Sequence, residues 1–472
     1  MIVTLVEVSG LLRAGKLSPV ELAKHAFAQY EQHNPTLNAF ILTYFDQALS
    51  AARESERRLR EGCGRPLEGV PLTIKDSFDV AGSFTSCGSL LYAGSKAAHD
   101  ATSARRLFEA GAVILGKTSC PEFLMNYETD NRLIGRTTNP WNRERTAGGS
   151  SGGESAAIAA GISMGGIGSD GGGSIRWPAH ACGIAGLKPT PGRVSAAGHV
   201  PEIAHPGGLL GVGGPMARTA ADVKMLFEVL AHYDPEDPFS TPVPQRWRDL
   251  AEFRTSGSRI GIVENWYGTP VQAAIAAAVE KAARTLTDLG FIVEPFRPRG
   301  LERAEALWWF FFAQLWARVF LKSVEDKRSE LHWAGVELFE QALAEPEPTI
   351  PKLLENFALR DKMRTSLLEQ METHRVLLLP AAGVTAFPHR SRQWLAEGRY
   401  IGLREAMSPL TPFNLFGMPG LVIPLGMDED GMPCGIQLVG RPYDEELLLE
   451  IGIALETARG PFPTPPGYKA II

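Results

Sequence analysis

The sequence predicts an α/β protein: a single large α/β/α domain with a mixed central sheet covered by helices on both faces and a helical N-terminal region. Three observations point there. Short apolar runs, VPLTI (70–74), AVILG (112–116), RVLLLP (375–380) and LVIPLG (421–426), are bounded by glycine and proline and read as buried strands. Helical stretches at 101–110, 153–161 and 271–289 lie between them, and such alternation places helices on both faces of a parallel or mixed sheet. In a chain of 472 residues, 44% hydrophobic and 21% charged content leaves ample apolar material for a core.

The elements follow in chain order. Residues 1–69 read as mainly helical. Ser18-Pro19-Val20-Glu21 supplies an N-cap, a proline at the first helical position and a capping-box glutamate, and Val20, Ala23, Ala26, Phe27 and Tyr30 recur at helical spacing. Residues 70–230 hold the glycine-rich tracts and form the expected catalytic core. Residues 231–400 read as a variable helical region that lids the substrate, with 242–258 as a surface connection. Residues 401–472 return to the core. No repeat or disordered linker divides the chain, so 1–472 is expected to be one domain.

Composition excludes several function classes. A formal charge of −6 without a basic run argues against nucleic acid as a partner. No uninterrupted apolar segment is long enough to span a bilayer, so stable membrane insertion is not expected. The N-terminus, MIVTLVEVSGLLRAGK, lacks the basic start, apolar run and cleavage site of a signal peptide. Five cysteines without a CxxC pair suit reduced thiols in a cytoplasmic protein and suggest no metal site.

Two motif matches fail on mechanism. GAVILGKT (111–118) fits G-x-x-x-x-G-K-T, but its variable positions are an apolar strand rather than a flexible phosphate loop. GGSSG (148–152) fits the nucleophile elbow G-x-S-x-G, yet polar, turn-rich residues precede it where the elbow needs a hydrophobic strand.

The candidate site lies in the stretch from Ala147 to Ala179, among the densest in glycine, where the competing reading of Asp170–Ser174 is a glycine-rich turn with an incidental serine. Acyl-bond hydrolysis needs a nucleophile, a base and stabilisation of an oxyanion. Asp170-Gly171-Gly172-Gly173-Ser174 offers a hydroxyl beside backbone N–H groups that glycine lets converge on one point. Each donor aimed at the developing charge is worth about 3 kcal/mol of barrier. No histidine has clear triad spacing. Lys75, which ends the apolar run 70–74, is the candidate base, because burial favours its neutral form. The competing reading of Lys75 is an ion pair with Asp76 or Asp79.

These segments resemble the amidase signature family, including stand-alone bacterial amidases and its fatty-acid-amide-hydrolase-like and aryl-acylamidase-like members. GGSSGGESAAIAAG and GSDGGGSIRWPAHACGIAGLKPTPGRVS carry the resemblance, with VPLTIKDSFDVAG, GAVILGKTSCPEF, TTNPWNRERTAGGSSGG and LTPFNLFGMPGLVIPLG extending it over most of the chain. The resemblance implies Ser174 as the acylated nucleophile, Ser150 as a bridging serine with a cis peptide bond, and Lys75 at the far end of the proton relay. It implies an oxyanion hole from the N–H groups of Gly171, Gly172, Gly173 and Ser174, with Ser151, Asp170 and Arg176 in support. Ser169 and Gly171 depart from the family's usual threonine and larger residue, so a roomier oxyanion loop is expected. No metal or organic cofactor is implied.

The resemblance implies that the segment Leu124, Met125, Asn126 and Tyr127 lines the pocket, with Trp177 as an aromatic wall; Leu124, Met125, Asn126 and Trp177 are the expected substrate-binding residues. The aromatic stretch 307–321 reads either as a core helix or as a substrate channel or lid. The expected activity is hydrolysis of the C–N bond of carboxylic amides, with carbamates (urethanes) and esters as further substrates, by a monomer or homo-oligomer. Two alternatives stand beside it: the glutaminase subunit of a tRNA-dependent amidotransferase, and a non-catalytic binding protein of the same fold. The segment 198–219 lacks the serine–leucine–aspartate–glutamine run associated with that glutaminase.

Overall fold

Among the described residues, eleven strands drawn from most of the chain's length pair into one mixed sheet. The structure, a computed structural model, describes residues 4–94, 96–203, 210–247 and 249–468. Residues 1–3 of the N-terminal segment, 204–209 of the 198–219 segment and 469–472 of the C-terminal segment therefore lie outside the described residues.

The strands are β1 (Phe40–Thr43), β2 (Pro71–Lys75), β3 (Val113–Thr118), β4 (Gly165–Asp170), β5 (Ala185–Lys188) and β6 (Val212–Ala217). They continue with β7 (Arg259–Ile262), β8 (Ile292–Pro295), β9 (Val376–Pro380), β10 (Gly420–Met427) and β11 (Pro433–Gly440). Their spatial order is β1-β3-β2-β4-β6-β5-β10-β11-β9-β7-β8. β2 runs parallel to both of its neighbours, β3 and β4. The middle of the sheet, from β4 through β6, β5, β10 and β11 to β9, is antiparallel. Parallel pairing returns from β9 through β7 to β8.

The four apolar runs are β2, β3, β9 and β10, and every residue of the first three is buried. A strand covered on both faces has no reason to alternate polar and apolar residues, which is why these read as continuous runs. The helices Thr102–Glu109, Gly152–Ala159 and Ala273–Asp288 occupy the expected stretches.

The N-terminal region forms three helices, Leu5–Arg13, Pro19–Leu37 and Phe45–Arg60. Ser18 Oγ accepts from the N–H groups of Val20 and Glu21, while Glu21 turns to Lys24 instead of closing the capping box. Between the last two helices, β1 adds antiparallel to β3; four residues are too few for a strand period to be read from sequence.

Region 231–400 corrects a second expectation. It is not helical cover alone: besides β9, which the run RVLLLP announced, it holds β7 and β8, and all three belong to the main sheet. Among the described residues no helix is long and apolar enough to cross a membrane. Cys63 is exposed, and the other four cysteines are buried free thiols.

The GAVILGKT segment forms β3, with its lysine inside the protein. Lys117 Nζ donates to Phe84 O and Thr85 Oγ1, each at 2.7 Å, and pairs with Asp76 at 2.9 Å. It is a structural cation. Removing one member of a buried pair strands the other charge, so Lys117→Ala is expected to lower stability by about 3–5 kcal/mol, measured as a lowered urea midpoint.

Candidate active site

Adjacent parallel strands bring two chemical segments together. Lys75 ends β2, Ser169 and Asp170 end β4, and the two strands are in register through Thr73–Gly166 and Ile74–Ile167. This is the carboxyl edge of the strands, where open α/β sheets place ligands. The chain turns through Gly171–Ser174 into the helix Arg176–Cys182. The Ser150–Ser151 segment, before the helix Gly152–Ala159, is tied to that turn by Ser151 N–H donating to Ser174 O at 3.2 Å. The Gly149–Ser150 peptide is cis.

Lys75 is wholly buried. Its Nζ lies 2.7 Å from Ser150 Oγ, 2.9 Å from Ser151 Oγ, 3.0 Å from Ser169 Oγ and 3.4 Å from Ser169 O. Among the described residues no carboxylate pairs with it, because Asp76 is committed to Lys117. Hydroxyls compensate a buried ammonium poorly, and burial pulls the lysine down to about 8. Beneath it, Glu154 accepts from Thr73 Oγ1 at 2.5 Å and Thr118 Oγ1 at 2.6 Å. Burial lifts that carboxyl to about 7, which weakens it as a counter-ion. Ser150 and Ser174 face one small chamber, but no hydrogen bond joins their hydroxyls. One link of the expected relay is therefore closed and the other is open.

The glycine turn is held from inside by a buried ion pair. Arg176 Nε and Nη2 reach the two oxygens of Asp170, each at 3.0 Å. The remaining guanidinium hydrogens reach Gln437 Oε1 at 2.6 Å, Leu410 O at 3.0 Å and Asn414 Oδ1 at 2.5 Å. Burial alone would raise the Asp170 carboxyl, yet the guanidinium and its hydrogen bonds hold it well below the usual range. Asp170 Oδ1 also accepts from Gly173 N–H at 2.7 Å. That proton is committed to the carboxylate, unlike its expected place in the oxyanion hole. The N–H groups of Gly171, Gly172 and Ser174 have no hydrogen-bond acceptor among the described residues.

Two side chains fix the turn from outside. Trp308 Nε1 donates to Gly171 O and Tyr127 Oη to Gly172 O, both at 2.8 Å. In a trans peptide the C=O and the following N–H point oppositely. Holding Gly171 O therefore also fixes the direction of the Gly172 N–H. Gly173 has φ +117, a conformation suited to glycine, and a Cβ on Gly172 would overlap the Trp308 ring. The roomier loop expected at Gly171 is absent: Phe312 Cε2 lies 3.0 Å from where a Cβ would stand.

The aromatic stretch proves to be both core and wall. A π-helical turn, Phe310–Leu315, follows the helix Ala304–Trp309; such turns are frequent at functional sites. Trp308 and Phe312 stack with centroids 4.8 Å apart and lie over the glycine turn. Phe311 faces the small chamber, whereas Phe310 packs into the hydrophobic core.

Ser174 stands between two chambers, one of about 90 Å³ and one of about 670 Å³. Leu124 and Met125 border both, and Asn126 borders the larger. Trp177 borders neither. Instead of forming an aromatic wall it is buried, stacks on Phe387 and His180, and donates its Nε1–H to Tyr127 O at 2.8 Å. Its place in the first turn of the helix Arg176–Cys182 directs it into the core, away from Ser174.

Sequence reasoning missed the carbonyl clamps of Trp308 and Tyr127, the Glu154–threonine cluster, and His199, which lines the small chamber. Glu154, Thr73 and Thr118 lie inside the recognised segments, but nothing in those segments shows that the three side chains meet. The available signal was the density of aromatic and hydroxyl residues, which does not reveal what a side chain touches.

Known proteins resemble this chain over nearly all of its length. The amidase family model matches residues 21–449. A glutamyl-tRNA(Gln) amidotransferase subunit from Chloroflexus aurantiacus is 36% identical over 482 aligned positions, covering 96% of each chain. The structure of a bacterial aryl acylamidase superposes with a TM-score of 0.84 at 26% identity, covering 96% of each chain. A 6-aminohexanoate cyclic dimer hydrolase superposes with a TM-score of 0.84 at 29% identity, covering 98% of each chain. With its mixed sheet, the glycine turn and the buried lysine carried on one continuous match, the chain belongs to the amidase family of the amidase signature enzymes.

Proposed function

We propose that this protein hydrolyses carboxylic amides through a Ser174 acyl-enzyme, with Ser150 as relay and Lys75 as base. The observation that carries this reading is Lys75 Nζ, wholly buried without a paired carboxylate, 2.7 Å from the hydroxyl of Ser150 in a chamber shared with Ser174. Neutral Lys75 takes the Ser150 proton as Ser150 takes that of Ser174, whose oxygen attacks the carbonyl carbon. The carbonyl π pair moves onto oxygen, where the N–H groups of Gly171, Gly172 and Ser174 are free to receive it. Collapse breaks the C–N bond while Ser150 returns a proton to the nitrogen. Water attacks the acyl-enzyme by the same relay and releases the acid.

The chambers support an orientation. Ser150 borders only the small chamber, so the nitrogen it protonates lies on that side. The acyl group then occupies the large chamber, walled by Trp266, Tyr267, Trp308, Trp309 and Met407. Asn126 Nδ2 is buried there without a partner among the described residues, a donor for a polar group on the acyl part. Bulky or aryl-bearing acyl amides are the favoured substrates. Carbamates share the acyl carbon and leaving nitrogen and belong to the same class.

One observation favours a second reading, the glutaminase subunit of a tRNA-dependent amidotransferase: the 36% identity to a protein of that kind along the chain. The large aromatic chamber exceeds what a glutamine side chain fills. Glutamine hydrolysis that appears only with a copurifying partner would reverse the order.

Three outcomes are expected. Across primary amides of graded acyl size, kcat/KM rises from acetamide to arylalkanoic amides, and Ser174→Ala lowers it at least about 10³-fold; near-normal turnover would sink the assignment. A protonated lysine accepts no proton, so kcat/KM falls about tenfold per pH unit below the Lys75 value of about 8 and levels off above it. A flat profile between pH 6 and 9 would exclude this base. Trp308→Phe keeps the ring but frees Gly171 O, and kcat is expected to fall about tenfold with little change in KM, measured on a saturable amide.

A further inference from the structure

The small chamber holds a histidine that the proposed relay does not use. His199 is 6% exposed and lines this chamber with Ser150 and Ser174. Its Nδ1 lies 2.7 Å from Pro201 O. A carbonyl oxygen only accepts, so Nδ1 carries the hydrogen and a neutral ring leaves Nε2 with a lone pair. Phe78 meets the ring edge-on at 4.9 Å, and the flanking backbone is pinned by His199 N–H to Ala196 O at 3.0 Å and Val200 N–H to Ser77 O at 2.7 Å. The ring's orientation is thus fixed by groups that are not part of the relay.

Nε2 is buried and has no hydrogen-bond partner among the described residues. A buried acceptor without a donor is rare in folded proteins and calls for a ligand or a water to complete it. Burial, with Lys75 nearby, pulls the imidazole down to about 3, so the ring stays neutral wherever Lys75 is neutral. His199 thus carries one fixed, unpaired lone pair in the wall of the small chamber, on the side where the proposed mechanism puts the leaving group.

Resting on the hydrolase reading above, we propose that His199 selects substrates whose leaving group carries an N–H, by accepting that hydrogen on Nε2 while Ser150 protonates the nitrogen. No proton is transferred to His199; the hydrogen bond orients the nitrogen so that its lone pair faces Ser150. Primary and secondary amides supply the hydrogen. An ester oxygen or the nitrogen of a tertiary amide brings no hydrogen, and the ester's own lone pairs would face that of Nε2. A site built around one hydrogen bond discriminates against analogues lacking the donor because its own polar group is then left unpaired. His199 is in this sense a specificity residue.

The test compares kcat/KM, which reports the acylation step, for 4-phenylbutanamide, its N,N-dimethyl derivative and methyl 4-phenylbutanoate. The proteins are the native sequence, His199→Leu and His199→Gln. Leucine is expected to lower the primary-amide value about tenfold or more, with the ester and dimethylamide values unchanged or raised. Glutamine, which offers an acceptor oxygen at similar reach, is expected to recover most of the amide rate. The ester rate of each preparation reports its folded, active fraction. An equal fall for amide and ester would assign His199 to a shared step or to folding and overturn the inference. An unchanged amide-to-ester ratio would overturn it too, as would a shift of the acid limb of the pH profile in His199→Leu. In each of these cases the native protein still turns over its probes, so the hydrolase reading stands. Native protein no faster than Ser174→Ala on every probe would instead overturn the hydrolase reading and this inference with it.

Discussion

An amine with nowhere to put its charge governs this site. Lys75 is sealed at the end of β2 and, among the described residues, only hydroxyl and carbonyl oxygens lie within its hydrogen-bonding reach. Nearby carboxyls are either committed or weakened: Asp76 to Lys117, and Glu154 to its own burial and two threonines. A carboxylate pressed against Nζ would hold the lysine charged and useless as a base. Lys75 and Lys117, buried on neighbouring strands, differ in one charged partner, the Asp76 carboxylate, and that difference separates a structural lysine from the proposed base.

The glycine turn follows the complementary logic. Its backbone has to be bare to approach a substrate, so the side chains that stiffen it come from elsewhere. Asp170 and Arg176 grip it from within, and Trp308 and Tyr127 take its carbonyls from outside. Preorganised donors stabilise developing charge because nothing reorients when the charge appears. The rigidity therefore belongs to the surroundings, while the permissiveness belongs to the glycines.

Much of this was legible in the sequence, for physical reasons that vary by element. The buried strands announced themselves because full burial erases alternation, and Ser18 announced a helix because its cap is local. β1, β7 and β8 did not, since four-residue strands carry little period and their pairing is decided by distant partners. That Lys75, Ser150 and Ser174 come together was reachable through their motifs. Trp177 misled because adjacency in sequence to Ser174 says nothing about helix face. The commitment of Gly173 N–H to Asp170 was invisible because a backbone donor leaves no mark in the residue type. His199 belongs to no motif, and only the fold shows where its ring points.

The reach of Arg176 has a consequence for the life history of the chain. Its guanidinium closes on Leu410, Asn414 and Gln437, more than two hundred residues downstream. A nascent chain will have all three proposed catalytic residues long before the groups that complete the grip on its glycine turn have left the ribosome. Loops closed over such separations form late. Until those residues are synthesised, the Arg176 guanidinium has Asp170 beside it but none of its downstream partners, so the full grip on the glycine turn depends on the C-terminal part of the chain.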